Sequence, residues 1–329
     1  MMSASSSPRH SIVFHADDFG MNAAVNAGIE AAFREGLLTS TSVLANAPAA
    51  EDACRVWPAL MADVQTRRLS SLERRRMLSD PLTPFDLGIH LNLTQGRPLT
   101  LNDFSPELLD EEGCFPGIGK LFARINHASD AQMKSVEAEL RAQIEWMIAR
   151  GHHPTHLNGH QYIELIPRIA AIVPALLHDY AIPTVRVAYE RGLFRSVLLQ
   201  GDVTGWGLGL VKRHFARAFR RRMANTKVAF PDRFFGTSHA GRIDDATMTR
   251  FLAGARGTRM TEIGVHPAID PGPDTSAESD PWFDPLAELR SNELKLLCCS
   301  KLAEELRSRQ FSLGRISALA TETWATEAT

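Results

Sequence analysis

The sequence predicts an α/β fold built on a parallel sheet, and three observations predict it. Short apolar runs alternate with segments of helical period. The 329 residues, 44% of them hydrophobic, suffice for one large core. The polar residues able to do chemistry follow the apolar runs. In chain order, Ile12 to Ala16 reads as a strand, and from Asn22 the positions Val25, Ile29, Ala32 and Phe33 recur at helical spacing until Gly36 stops them. "LLTSTSVLAN" is a second strand and "FDLGIHLNLT" a third, entered after an Arg-rich polar stretch from Asp63 to Asp80. A long helix starts at Asp130, with Met133, Val136, Leu140, Ile144, Met147 and Ile148 on one face and Gly151 closing it. "PTHLN", "PTVRVA", "RFFG" and "MTEIGVHP" are later strands, and Pro285 to Leu297 is a late helix. Residues 1–10 are expected to form a disordered tail, and 11–329 one domain with insertions near 63–80 and 191–227.

A formal net charge of -2 gives no general attraction to nucleic acid or an acidic polymer, so no nucleic-acid partner is expected. The start "MMSASSSPRHS" lacks an apolar h-region, and no run of about 18 apolar residues occurs. A cytoplasmic location is therefore expected. Cys54, Cys114, Cys298 and Cys299 show no CxxC spacing and read as buried free thiols.

Parallel sheets carry their chemistry at the C-terminal ends of strands, in closed barrels and open sheets alike. Asp17 and Asp18 leave the first strand, His90 lies near the end of the third, His160 follows "PTHLN" and His266 ends "EIGVH". All five should gather at one rim. Asp18-Phe19-Gly20 spells the magnesium-binding tripeptide of protein kinases, but the Gly-rich loop, strand lysine and HRD loop that should precede it are absent. "GWGLG" at Gly205 to Gly209 opens no dinucleotide unit and reads as a flexible loop. Taken alone, Asp18 could be a helix cap and His90 a satisfied rim histidine. Together, an Asp and two His at the ends of separate strands form the ligand set of an open divalent-metal site. A second carboxylate beside it is a natural general base. His156 and the pair His152-His153 read as structural, His15 as a neighbour of the motif, and the "NLT" sequon at Asn92 as chance.

"HADDFGMN", "TSTSVLAN", "LGIHLNLTQGRPLT", "PTHLNGHQ" and "EIGVHPAID" resemble, in order and spacing, the motifs of the YdjC-like carbohydrate deacetylases, which include the chito-oligosaccharide deacetylases. The resemblance runs from about Ile12 to the "FSLGRI" segment. It implies a distorted TIM-like (β/α) barrel that hydrolyses N-acetyl groups of amino sugars with one divalent cation, Mg2+ or Zn2+. Carried over by position, it implies Asp18, His90 and His160 as metal ligands, Asp17 as general base, His266 as the acid for the departing amine and Arg186 as a residue orienting the base. The chain departs from the chito-oligosaccharide members in "HLNGHQYIE", where Asn158 takes an Asp position and the further histidines of the run are missing. That variant resembles the branch associated with hopanoid biosynthesis, whose substrate is a glucosamine joined to a lipid.

The basic, apolar segment around 191–227 reads either as a solvated helix face plus a loop or as a peripheral membrane contact. A glycolipid substrate would need such a contact and a soluble amino sugar would not. Oligomeric state is open, with a homodimer allowed. Two other classes stay open as well: a catalytically silent carbohydrate- or lipid-binding barrel, and an amidohydrolase of a non-sugar substrate.

Overall fold

The structure is a computed structural model that describes residues 10–70, 76–80, 84–190, 203–270 and 280–320. Of the expected tail, all but His10 lies outside the described residues, as do parts of both expected insertions. Seven strands follow one another in the chain: β1 (Ser11–Phe19), β2 (Ser40–Val43), β3 (Asp86–Leu91), β4 (His156–Gly159), β5 (Thr184–Val185), β6 (Arg233–Phe235) and β7 (Met260–Val265). They lie side by side in the order β5-β4-β3-β2-β1-β7-β6, every pair parallel. A two-residue β8 (Ser312–Leu313) pairs with the start of β1, below the point where β2 begins its pairing. The two edges are tied by a bridge from Thr184 to Ala229, just before β6, where Val185 N–H donates to the Ala229 carbonyl at 3.0 Å. The sheet is thus a distorted TIM-like barrel. All nine residues of β1 are buried, as expected of a parallel strand covered on both faces.

Among the described residues, the main helices are α1 (Ala23–Arg34), α2 (Ala50–Ser70), α3 (Ile118–His127), α4 (Asp130–Ile148), α5 (Pro167–Asp179), α6 (Val203–Ala224), α7 (Asp245–Gly254), α8 (Ala287–Cys298) and α9 (Ser300–Ser308). The Asn22 side chain caps α1 by accepting from Val25 N–H at 2.9 Å. Gly28 lets this helix touch the chain after β7: a Cβ there would stand 2.2 Å from the Ala268 Cα. In α4, a Ser129/Gln132 capping box starts the helix, and Val136, Leu140, Ile144 and Met147 are buried as their spacing requires. On that same buried face, Gln143 holds the loop after β3 by accepting from Asn92 N–H at 2.9 Å and donating to the Asn92 carbonyl at 2.7 Å. Asn92 is itself fully buried and closes a turn by accepting from Thr94 N–H at 2.9 Å, so "NLT" is a structural turn.

Two expectations are corrected. Gly205 to Gly209 is helical, within α6. Glycine's low helix propensity is outweighed there because the helix continues into Ala216, Phe219 and Met223, which are buried against the core. Cys298 is exposed and Cys299 half-buried, while Cys54 and Cys114 are buried. Leu296 and Leu297 take the inward positions where α8 ends, which turns the following thiol outward. The outer face of α6 carries exposed Arg213, Arg217, Arg221 and Arg222. Among the described residues, no helix is long and apolar enough to cross a membrane.

Gly88 lies under the His156 ring, and a Cβ there would stand 2.3 Å from His156 Nε2. Gly88→Ala should destabilise the fold by about 1–3 kcal/mol through overpacking, measured by urea denaturation. In a His156→Ala background that cost should largely disappear; an undiminished cost would show that the ring is not what fills the space.

Candidate active site

Register brings the chemistry to one rim. Ala16 pairs with Val265, which places Asp17 beside His266, and His90 pairs with Asn158, two residues before His160. Successive side chains on a regular strand point to opposite faces. Here the β1–β2 register shifts between Ala16 and Phe19, and Asp18 has a left-handed backbone, φ 70°. The alternation breaks, and both carboxylates line one cavity of about 550 Å³, together with His90, His160 and His266.

Asp18, His90 and His160 each offer one ligand atom, and the three atoms lie within 4.8 Å of one another. Asp18 Oδ1 stands 3.0 Å from His160 Nδ1 and 3.4 Å from His90 Nε2. The far side of each ring faces a fixed amide oxygen. Gln95 donates its amide to the Phe283 carbonyl at 2.7 Å, which leaves its Oε1 to accept from His160 Nε2 at 2.7 Å. Asn158 donates to Asp17 Oδ1 at 3.1 Å, which leaves its Oδ1 to accept from His90 Nδ1 at 2.9 Å. In the neutral rings, both nitrogens facing Asp18 therefore carry lone pairs. Two lone pairs converging on a carboxylate oxygen are a donor set that fits a divalent cation, with outer partners that set the tautomers. Burial works against charge on His90, but Asp17 and Asp18 outweigh it and move its pKa upward.

Each carboxylate has its own buried arginine. Arg186, just beyond β5, donates from Nη1 to Asp17 Oδ2 at 2.7 Å and from Nε to Glu262 Oε1 at 2.7 Å. Arg290, on α8, donates to Asp18 Oδ2 at 2.8 Å and from Nε to Asp284 Oδ2 at 2.6 Å. Burial alone would raise both aspartates; Arg186 with His90, and Arg290 with His160, hold them well below the ordinary carboxylate range. His266 Nε2 lies 3.8 Å from Asp17 Oδ2, while its backbone N–H donates to Glu293 at 2.7 Å. His15 Nε2 is 3.2 Å from Asp17 Oδ1, and its Nδ1 meets Ser40 Oγ at 2.9 Å. His156 packs edge-on against the His15 ring, and His152 Nε2 bonds the Cys54 carbonyl at 2.9 Å. Part of the cavity lining is apolar, with Ile118 and Phe122 of α3, Leu165, Ile166, Phe215 of α6 and Leu286, and Gln161, Lys212 and Thr237 line it as well.

The structure thus brings together Asp17, Asp18, His90, His160, His266 and Arg186. Sequence reasoning missed Gln95, Glu262, Asp284, Arg290 and Glu293. Only Glu262 left a signal, as an acid inside the apolar strand "MTEIGVH" opposite the base inside "PTVRVA".

A family model described as YdjC-like protein matches residues 11–308. The chain belongs to the YdjC-like family. A human relative named carbohydrate deacetylase is 29% identical over 92% of this chain and 88% of its own length. Relatives of the same name from Brevibacillus brevis and Geobacillus stearothermophilus are 27% and 34% identical, over 94% and 61% of this chain and 99% and 70% of their own lengths. A crystal structure from Enterococcus faecalis, described there as a cellobiose-phosphate cleavage protein, superposes with a TM-score of 0.69 over 94% of this chain and 99% of its own. At 20% identity, that likeness shows that the fold is shared and no more.

Burial, followed by the Arg186 charge, lowers His15 to about 4. An unfolded histidine takes up its proton near pH 6.5. Between about pH 6.5 and about 4 the unfolded chain therefore binds a proton that the fold refuses, and stability falls as pH falls through that window. Above it, this contribution is fully present. His15→Asn should flatten the fall in urea midpoint between about pH 7 and about pH 4.5, whereas parallel curves for variant and parent would contradict a neutral, buried His15.

Proposed function

We propose that the protein is a hydrolase that removes the acetyl group from an N-acetylated amino sugar, using a divalent cation held by Asp18, His90 and His160. One observation carries the reading: a cation-type donor set shares a rim with a separately held carboxylate and a histidine. The naming of the relatives as carbohydrate deacetylases supports the substrate class. The cation would supply Lewis acidity, lowering the pKa of a water and polarising the acetyl carbonyl. The mixed Asp and His set suits zinc or a related transition ion better than magnesium.

Asp17, kept ionised by Arg186, accepts the proton of the attacking water as the C–O bond forms. His266 gives a proton to the nitrogen as the C–N bond breaks, so that the amine leaves neutral and acetate is the second product. His266 Nε2 stands 3.8 Å from Asp17 Oδ2, beyond direct hydrogen-bond reach, so the proton taken by the base would return to the histidine through one bridging water. The apolar part of the cavity wall supports a sugar joined to an apolar group, a glycolipid of hopanoid type. The exposed arginines of α6, which also lends Phe215 to that wall, support a peripheral contact with an anionic bilayer.

The test is acetate release from diacetylchitobiose and from an N-acetylglucosaminyl lipid, with and without chelator. Release should stop when the ion is removed, and the lipid should be the better substrate; acetate release unaffected by chelator would refute the reading. Asp17→Asn should bind metal like the parent while turnover drops by about 10²–10⁴-fold. Activity within a few-fold of the parent would remove Asp17 from the base role.

A further inference from the structure

We propose that Arg290 is a positioning residue for Asp18, forked so that the carboxylate offers a single oxygen to the two histidines. The inference rests on reading Asp18, His90 and His160 as cation ligands. A free carboxylate presents two equivalent oxygens and can turn about its Cβ–Cγ bond. Here Arg290 Nη2 donates to Asp18 Oδ2 at 2.8 Å, and Oδ1 alone faces His160 Nδ1 at 3.0 Å and His90 Nε2 at 3.4 Å. The guanidinium is aimed in turn: Asp284 takes Nε at 2.6 Å and Nη2 at 3.2 Å, and Met21 Sδ lies 3.4 Å from Nη2. A planar fork holding two carboxylates at set angles is a task for Arg and not for the point charge of Lys.

Burial argues the same way. Arg290 is 1% exposed, and desolvating a guanidinium is costly unless its partners compensate. The segment that supplies its partner also aims a second ligand, because the Phe283 carbonyl, next to Asp284, fixes the Gln95 amide that faces His160. Two of the three ligands are thus oriented from one short stretch ahead of α8.

Charge and geometry predict opposite effects on cation affinity, which makes the idea testable. By Coulomb's law alone, removing a cation beside a cation site tightens binding. Loss of positioning loosens it, by about 10–100-fold for partners of this kind. The experiment titrates zinc alone into chelator-stripped protein by calorimetry for the parent, Arg290→Met, Arg290→Lys, Asp284→Asn and Asp18→Asn, with the melting temperature of each metal-free protein recorded. Arg290→Met should bind about 10–100-fold more weakly. Asp284→Asn, which keeps the guanidinium charge but frees its direction, should also weaken binding, and Arg290→Lys should fall between the parent and the Met variant. Arg290→Lys and Asp284→Asn keep the question answerable if Arg290→Met fails to fold. Unchanged or tighter zinc binding in a folded Arg290 or Asp284 variant overturns the proposal, as does a fall in melting temperature with affinity unmoved. If the parent binds zinc no better than Asp18→Asn does, the ligand reading itself fails, a result distinct from failure of the arginine's role alone.

Discussion

Two carboxylates adjacent in the chain are buried side by side at the end of β1, and the rest of the site follows from what it takes to keep them there. Unpaired charges in a dry interior neutralise or unfold the protein. The chain meets the demand twice over, with Arg186 on Asp17 and Arg290 on Asp18. Each arginine needs its own counter-charge, and Glu262 and Asp284 supply it. Four segments distant in sequence are thereby drawn to one rim.

Asn158 has a physical reason in the same terms. Its amide donates to Asp17 and accepts from His90, joining the two through one side chain. An aspartate there could accept from His90 but could not donate, and it would set another negative charge about 3.1 Å from Asp17. An amide at this position therefore keeps the bond to His90 without a repulsion against Asp17. Shortly after it, the backbone is special as well: Gln161 and Tyr162 are left-handed, φ 53° and 63°, and both line the cavity. Strain of that kind persists only where surrounding contacts over-determine it.

The barrel strands were legible because most are short, largely apolar runs with polar residues at their C-terminal ends, the polar β2 and β4 being exceptions, and β1 to β7 all overlap segments read as strands from the sequence. The helices α1, α4 and α8 were legible from period. Helix α2 was not, since Pro58 and a charged second half blur its apolar stripe. The glycines near the start of α6 read as a loop because propensity is local, whereas the packing that holds that helix is not. Nor could Arg290 and Glu293 be told from a solvated helix face: a buried arginine and an exposed one have the same letter and spacing, and only the partners differ.

By itself, then, the sequence determined the parallel α/β architecture and that Asp17, Asp18, His90, His160 and His266 stand at or just beyond strand ends. Period and strand-end position are properties of neighbouring residues, and the linear chain carries them in full. Tertiary structure alone decided that two consecutive acids face the same cavity, through a register shift and a left-handed backbone at Asp18. It alone assigned a different arginine to each acid and turned the free nitrogens of His90 and His160 toward one oxygen. Charge pairing and hydrogen-bond direction act through space, between residues as far apart as Asp18 and Arg290.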